Sequence, residues 1–135
     1  MMFFKKDNIK SFDRINLRLS GMRGTEEYEL VCMGEMTEVS HYRLIYEDMI
    51  EKRRLERRAE CYTEMITELL NLCDVSSWDG FSGAHPRGVR DGIMMRFKAE
   101  VNDGKVINAS GSENFPKKYK EFRNAVMDIF NKDIK

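Results

Sequence analysis

The chain has 135 residues, 41% hydrophobic and 34% charged, and its 23 Lys+Arg against 23 Asp+Glu give a formal net charge of +0 at pH 7. That length suits a single domain burying roughly two-thirds of its unfolded surface, which excludes dependence on disulfide staples. Balanced charge argues against a dedicated nucleic-acid binder, whose affinity rests on a basic excess, and favours self-association through weak colloidal repulsion.

The three cysteines, Cys32, Cys61 and Cys73, are odd in number and contain no C-x-x-C pair. They read as reduced, buried thiols of a cytoplasmic protein rather than a disulfide framework or a zinc knuckle. Met1-Met2-Phe3-Phe4 runs straight into Lys5-Lys6. That apolar run is too short for a signal h-region, and no later stretch approaches the roughly 18 apolar residues of a membrane span. Residues 1–9 and 131–135 are expected to fray.

Along the chain, Ile15, Leu17 and Leu19 alternate with Asn16 and Arg18, the period of a strand with one wet face. Ser20-Gly21-Met22-Arg23-Gly24 supplies a turn. Tyr28, Leu30 and Cys32 mark a second strand, and Gly34-Glu35 a second turn. Residues 36–46 are rich in β-branched and aromatic types and predict a third strand. Its alternation breaks, since Val39 and Ile45 fall on one face and Tyr42, Leu44 and Tyr46 on the other, so a bulge is expected. His41 reads as an ordinary sheet residue. Short links make the pairing antiparallel.

Leu55, Ala59, Tyr62, Ile66, Leu69 and Cys73 recur at helical spacing and predict a first helix over residues 48–74, with Met65 and Leu72 widening its stripe. Its start, Glu51-Lys52-Arg53-Arg54-Leu55-Glu56-Arg57-Arg58, is the most charged run in the chain. Residues 52–58 could contact phosphate, making the protein a weak nucleic-acid binder. The plainer reading is a solvated face of charge pairs, because glutamates dilute the cations and no aromatic is interleaved for base stacking.

Residues 75–92 form a long Gly/aromatic loop, and a connection of that length is either functional or anchored by its own side chains. Trp78, the only tryptophan, would plug the sheet with Phe81 beside it, or floor a ligand pocket. As a binding surface the loop offers Trp78, Phe81, His85 and Arg87. Asp79, His85 and Asp91 are the best candidate catalytic cluster, able to serve as an acid–base or metal-dependent hydrolytic constellation if they converge. No H-E-x-x-H, G-x-S-x-G or phosphate loop accompanies them, so Asp79-Gly80 and Asp91-Gly92 also read as simple turn dipeptides. No cofactor is implied.

From Ile93 to Val101 apolar residues alternate again, and Asn102-Asp103-Gly104 turns the chain. A three-residue loop pairs Val101 with Lys105, Ala99 with Ile107 and Phe97 with Ala109, which puts every apolar side chain on one face; a two-residue loop would push Ile107 and Ala109 into water. Gly104 takes the left-handed position. Asn114-Phe115-Pro116 is expected to open a last helix with the stripe Phe115, Tyr119, Phe122, Val126, Ile129 and Phe130.

Trp78-Asp79-Gly80-Phe81, Asp91-Gly92 and Gly111-Ser112-Glu113-Asn114-Phe115-Pro116 together resemble the W-x-G, D-G and G-S-(x)-N-x-[FY]-P blocks of a family of small uncharacterised bacterial proteins. The resemblance implies a bacterial origin and no established activity.

The expected fold is an α+β two-layer sandwich: a five-stranded antiparallel sheet, in the order β-β-β-α-β-β-α, with both helices on one face. The expected function is a non-catalytic protein- or ligand-binding module working through the open sheet face or the 76–90 loop. A protein partner or a second copy of the chain is the expected partner; nucleic acid and membrane are disfavoured.

Overall fold

A computed structural model of the protein describes residues 8–83 and 92–132. Strands β1 (Phe12–Gly21), β2 (Gly24–Met33), β3 (Met36–Glu47) and β4 (Ile50–Tyr62) form an antiparallel meander. Helix α1 (Thr63–Leu72) and a short 3-10 turn (Val75–Trp78) follow. Then come β5 (Ser82–Gly83), the hairpin of β6 (Met94–Val101) and β7 (Lys105–Ser112), and helix α2 (Tyr119–Lys132). The sheet order is β4-β3-β2-β1-β6-β7-β5, with β5 parallel to β7 and every other pairing antiparallel.

The α+β class and the two helices are as expected. The five-stranded antiparallel sheet is not: among the described residues the sheet is mixed and has seven strands. One addition is β5, a parallel stub inside the expected loop. The other is β4, where a helix over residues 48–74 was predicted. Of the stripe's members in that stretch only Ala59 is buried, while Leu55 and Tyr62 are exposed. Too little apolar surface is available to dock a helix, so cross-strand pairing with β3 prevails over residues 50–62. There Ala59 and Cys61 alternate into the core. The bulge expected in the third strand falls instead on its neighbour: the β3–β4 register shifts at His41/Tyr42 and leaves Glu56 of β4 unopposed, while β3 runs against β2 without a shift.

The switch from strand to helix at Thr63 is anchored on the β2–β3 turn. Its N–H donates to the Glu35 carbonyl at 2.7 Å, and its hydroxyl lies 2.7 Å from the Gly34 carbonyl and 2.9 Å from the Thr37 hydroxyl. Ile66 and Leu70 then face inward, whereas Met65 and Leu72 point to water.

One face of the sheet is the core. Leu17 lies between Tyr28 on β2 and Phe97 on β6, and Phe97 pairs with Ala109 on β7. The β6–β7 register matches the three-residue loop, with Val101 opposite Lys105. Ile66 and Leu70 of α1 join Phe122, Val126 and Ile129 of α2 in the same buried cluster as these strands, so both helices cover this face. Trp78 is fully buried between the layers. It meets Phe97 edge-on at 4.9 Å and Phe122 at 5.6 Å, and donates its indole N–H to the Lys117 carbonyl at 2.9 Å. Ile9, expected in a frayed end, is buried too. The Asn71 side chain clamps it through hydrogen bonds to both its N–H and its carbonyl, each 2.9 Å.

The second face carries charge. Arg14 pairs with Glu29, Arg53 with Glu27 and Glu29, and Arg18 with Glu27 and Glu51. In a flat sheet β1 and β4 would lie about 14 Å apart, three strand spacings. The 2.6 Å contact of Arg18 with Glu51 therefore records a coiled sheet whose β3–β4 arm leans back over this face.

No helix among the described residues is long and apolar enough to cross a membrane.

Candidate functional site

The loop residues singled out from sequence divide. His85, Arg87 and Asp91 lie outside the described residues. Asp79 caps the sheet edge: its Oδ1 accepts the Asn108 N–H at 2.9 Å, beside Gly80 N–H donating to the Asn108 carbonyl at 2.8 Å. The Phe81 carbonyl takes the Ser110 N–H at 2.9 Å, and the Phe81 ring packs half-buried against the core. Trp78 lies wholly inside the core. Among the described residues, no group of three or more His, Cys, Asp or Glu side chains could hold a metal ion.

A cleft of about 610 Å³ opens elsewhere, between the β1–β2 hairpin tip and the start of α2. Its position depends on two glycines. A Cβ on Gly111 would stand 1.9 Å from the Asn114 carbonyl oxygen, and one on Gly83 2.5 Å from the same atom. Only glycine lets the segment after β7 lie this close to the sheet. Glu113 then ties the segment to Ile93: its carboxylate accepts the Ile93 N–H, and its own N–H donates to the Ile93 carbonyl at 2.9 Å. The expected helix start at Asn114-Phe115-Pro116 does not occur. Lys118 takes φ 66°, outside helical space, so α2 begins at Tyr119 and Phe115-Pro116 remain as a wall of the cleft. The Phe115 ring stacks on Tyr119 at 4.7 Å.

The floor is therefore apolar, built from Leu19, Met22, Ile93, Phe115, Pro116 and Tyr119. The rim carries Arg23, Lys118, Lys120 and Arg123 against Glu26 and Glu121, an excess of two positive charges. Lys118 is steadied by a 3.3 Å bond to the Leu72 carbonyl at the end of α1. Burial pushes the Tyr119 phenol up to about 12 and also raises Tyr28, which Glu26 lifts further. Both rings are neutral donors at ordinary pH.

Glu26 joins the cleft to a polar cluster that sequence reading passed over. Its Oε1 lies 2.6 Å from His41 Nε2 and 3.4 Å from the Tyr28 hydroxyl. Arg57 donates from Nε to His41 Nδ1 at 3.3 Å, so the partners assign the imidazole proton to Nε2. The His41 ring stacks on Tyr28 at 4.5 Å, and the Arg57 guanidinium sits 4.5 Å over Phe130. A signal for this existed in the sequence: a two-residue turn at Gly34-Glu35 places Tyr28 directly opposite His41, with Glu26 two residues away on the same face. The cluster fixes the Glu26 carboxylate in the cleft wall. Its histidine is engaged at both nitrogens.

Comparison with family models, with curated proteins and with solved structures found no match.

Proposed function

We propose that the chain is a non-catalytic binding module whose ligand is an amphipathic anion seated in the cleft between the β1–β2 hairpin tip and α2. The supporting observation is the pairing of an apolar floor with a net cationic rim in about 610 Å³, a size and character typical of ligand pockets. An aromatic or aliphatic body would cover Met22, Ile93 and Phe115. Its acidic group would reach Arg123 and Lys120, while Glu26, held by His41, would repel a second acid at the opposite wall. The same chemistry can come from a free organic acid or from an acidic side chain beside an apolar one on a partner protein.

The bacterial origin implied by the W-x-G, D-G and G-S-(x)-N-x-[FY]-P blocks, and the cytoplasmic setting read from the cysteines, suit this reading. The hydrolase reading of Asp79, His85 and Asp91 is weaker, because Asp79 is committed to the Asn108 N–H. The nucleic-acid reading of residues 52–58 is weaker because Lys52, Arg53, Arg54 and Arg58 each pair with a carboxylate.

Decanoate and decanol, alike in body and different in charge, separate the contributions when titrated against isotope-labelled protein by NMR. Decanoate should shift the amides of residues 19–24, 93 and 115, decanol should bind at least about tenfold more weakly, and Arg123→Glu should abolish that preference. Equal affinity for acid and alcohol, or shifts confined to another surface, would refute the proposal.

A further inference from the structure

We infer that the charged face of the sheet carries a second, separate site that takes the phosphoryl group of a small phosphate ester. It lies where β1, β6 and β7 run side by side. Successive rows on this face have opposite character. In one, Arg14 stands opposite Glu100, a complementary pair. Four residues further along each strand, past the row of Asn16 opposite Lys98, Arg18 stands directly opposite Arg96. Like charges facing each other across a ladder are destabilising unless something sits between them.

The carboxylates that steady Arg18, Glu51 at 2.6 Å and Glu27 at 3.9 Å, both come from the β2–β4 side. On the β6 side Arg18 and Arg96 both line a cleft of about 450 Å³, and no carboxylate among the described residues lines it. Among the described residues the remaining wall is Ser20, Ser110 and Ser112 with Met94, Met95 and two glycines, so hydroxyls are the other polar side-chain groups there.

This is a donor set. Each guanidinium presents a rigid fork of N–H groups and accepts nothing. The Arg96 fork, with Arg18 beside it and hydroxyls around it, suits an anion with several acceptor oxygens, of which a tetrahedral phosphoryl group has more than a carboxylate. Arg18 is already fixed by its carboxylates, so one half of the clamp is preorganised before a ligand arrives. The volume leaves room for a phosphoryl group and a short organic body, with the Met94 thioether beside it.

The test is calorimetric titration of the full chain with inorganic phosphate, glycerol phosphate and acetate, repeated on Arg96→Gln and Lys98→Gln. Lys98 is the control, since it carries the same charge on the same strand and face but lies outside the cleft lining. Phosphate and its ester should bind and acetate should not. Arg96→Gln should weaken binding at least about tenfold and Lys98→Gln less than about twofold. Tighter binding of the ester than of the free ion assigns the organic body a contact; equal binding places all recognition in the phosphoryl group. Absence of heat with both phosphates, equal weakening by the two variants, or acetate binding as tightly as phosphate would overturn the inference. A phosphoserine peptide that outbinds glycerol phosphate would overturn the small-molecule source.

Discussion

The β6–β7 and β3–β4 hairpins are built from the same kind of ladder and held by different forces. In β6–β7 every second residue of β6, from Met95 through Phe97 and Ala99 to Val101, is buried, and Ile107 and Ala109 answer from β7. The outer half of β3–β4 buries little besides Leu44. Its hairpin turn at Asp48-Met49 is open to water, with Met49 96% exposed. Within the arm Lys52 pairs with Glu47 and Arg53 lies 3.9 Å over the Tyr42 ring; what ties its outer half to the body is charge, Arg53 to Glu27 and Glu29 and Glu51 to Arg18. Burial fixes one hairpin and ion pairing drapes the other, so the two should yield to different perturbations.

Removing the core contact gives the largest expected effect. Phe97→Ala strips a fully buried ring from both Trp78 and Phe122 and should cost about 3–5 kcal/mol in a urea titration, with little change on adding salt. A loss near that of a surface substitution would mean that β6–β7 is not held as described.

Alkali should act on the same half of the molecule. The Tyr119 phenol, which packs near Trp78, is raised from 10.0 to about 12 by burial. Below the unfolded pKa both states are neutral and its contribution is complete. Between about pH 10 and 12 the unfolded ring ionises while the folded one resists, so stability falls as pH rises through that window. Urea midpoints for Tyr119→Phe should decline less steeply there than those of the parent chain. Identical slopes would remove Tyr119 as the cause.

The smallest effect belongs to the charged arm. Arg53→Ala should cost under about 1 kcal/mol, and that difference should shrink further in high salt. Hydrogen exchange should show faster opening of residues 44–55 with β6 and β7 unchanged. A large, salt-insensitive loss would place the arm in the core-held class.

The same contrast explains what could be read from sequence. The β6–β7 register was legible because only one pairing buried Phe97, Ala99, Ile107 and Ala109 together. The β3–β4 pairing was not, because residues 50–58 carry no alternation of apolar side chains and its turn holds no glycine. Asp48 and Met49 take φ of 53° and 63°, and methionine is not a residue that announces such a bend. Apolar spacing then suggested a helix starting at residue 48, well ahead of the observed start at Thr63. The start of α2 was misplaced for a related reason: Pro116 signals a helix, but Lys118 interrupts it with a positive φ that composition does not betray. Of the candidate site, Phe115 and Tyr119 were visible as apolar positions. Glu26 and His41 become partners only once two strands are laid side by side in register.

The unopposed Glu56 has a consequence for the life of the protein in a crowded solution. Among the described residues Ile50–Tyr62 is the outermost strand on its side, with no strand beyond it, and a chain with no net charge has little to keep a neighbour at a distance. A neighbouring molecule trying to extend the ladder there meets a kink at residue 56 and guanidinium groups on both sides of it. Both features blunt the edge, and straightening it with neutral residues should raise the tendency of copies to add strand to strand.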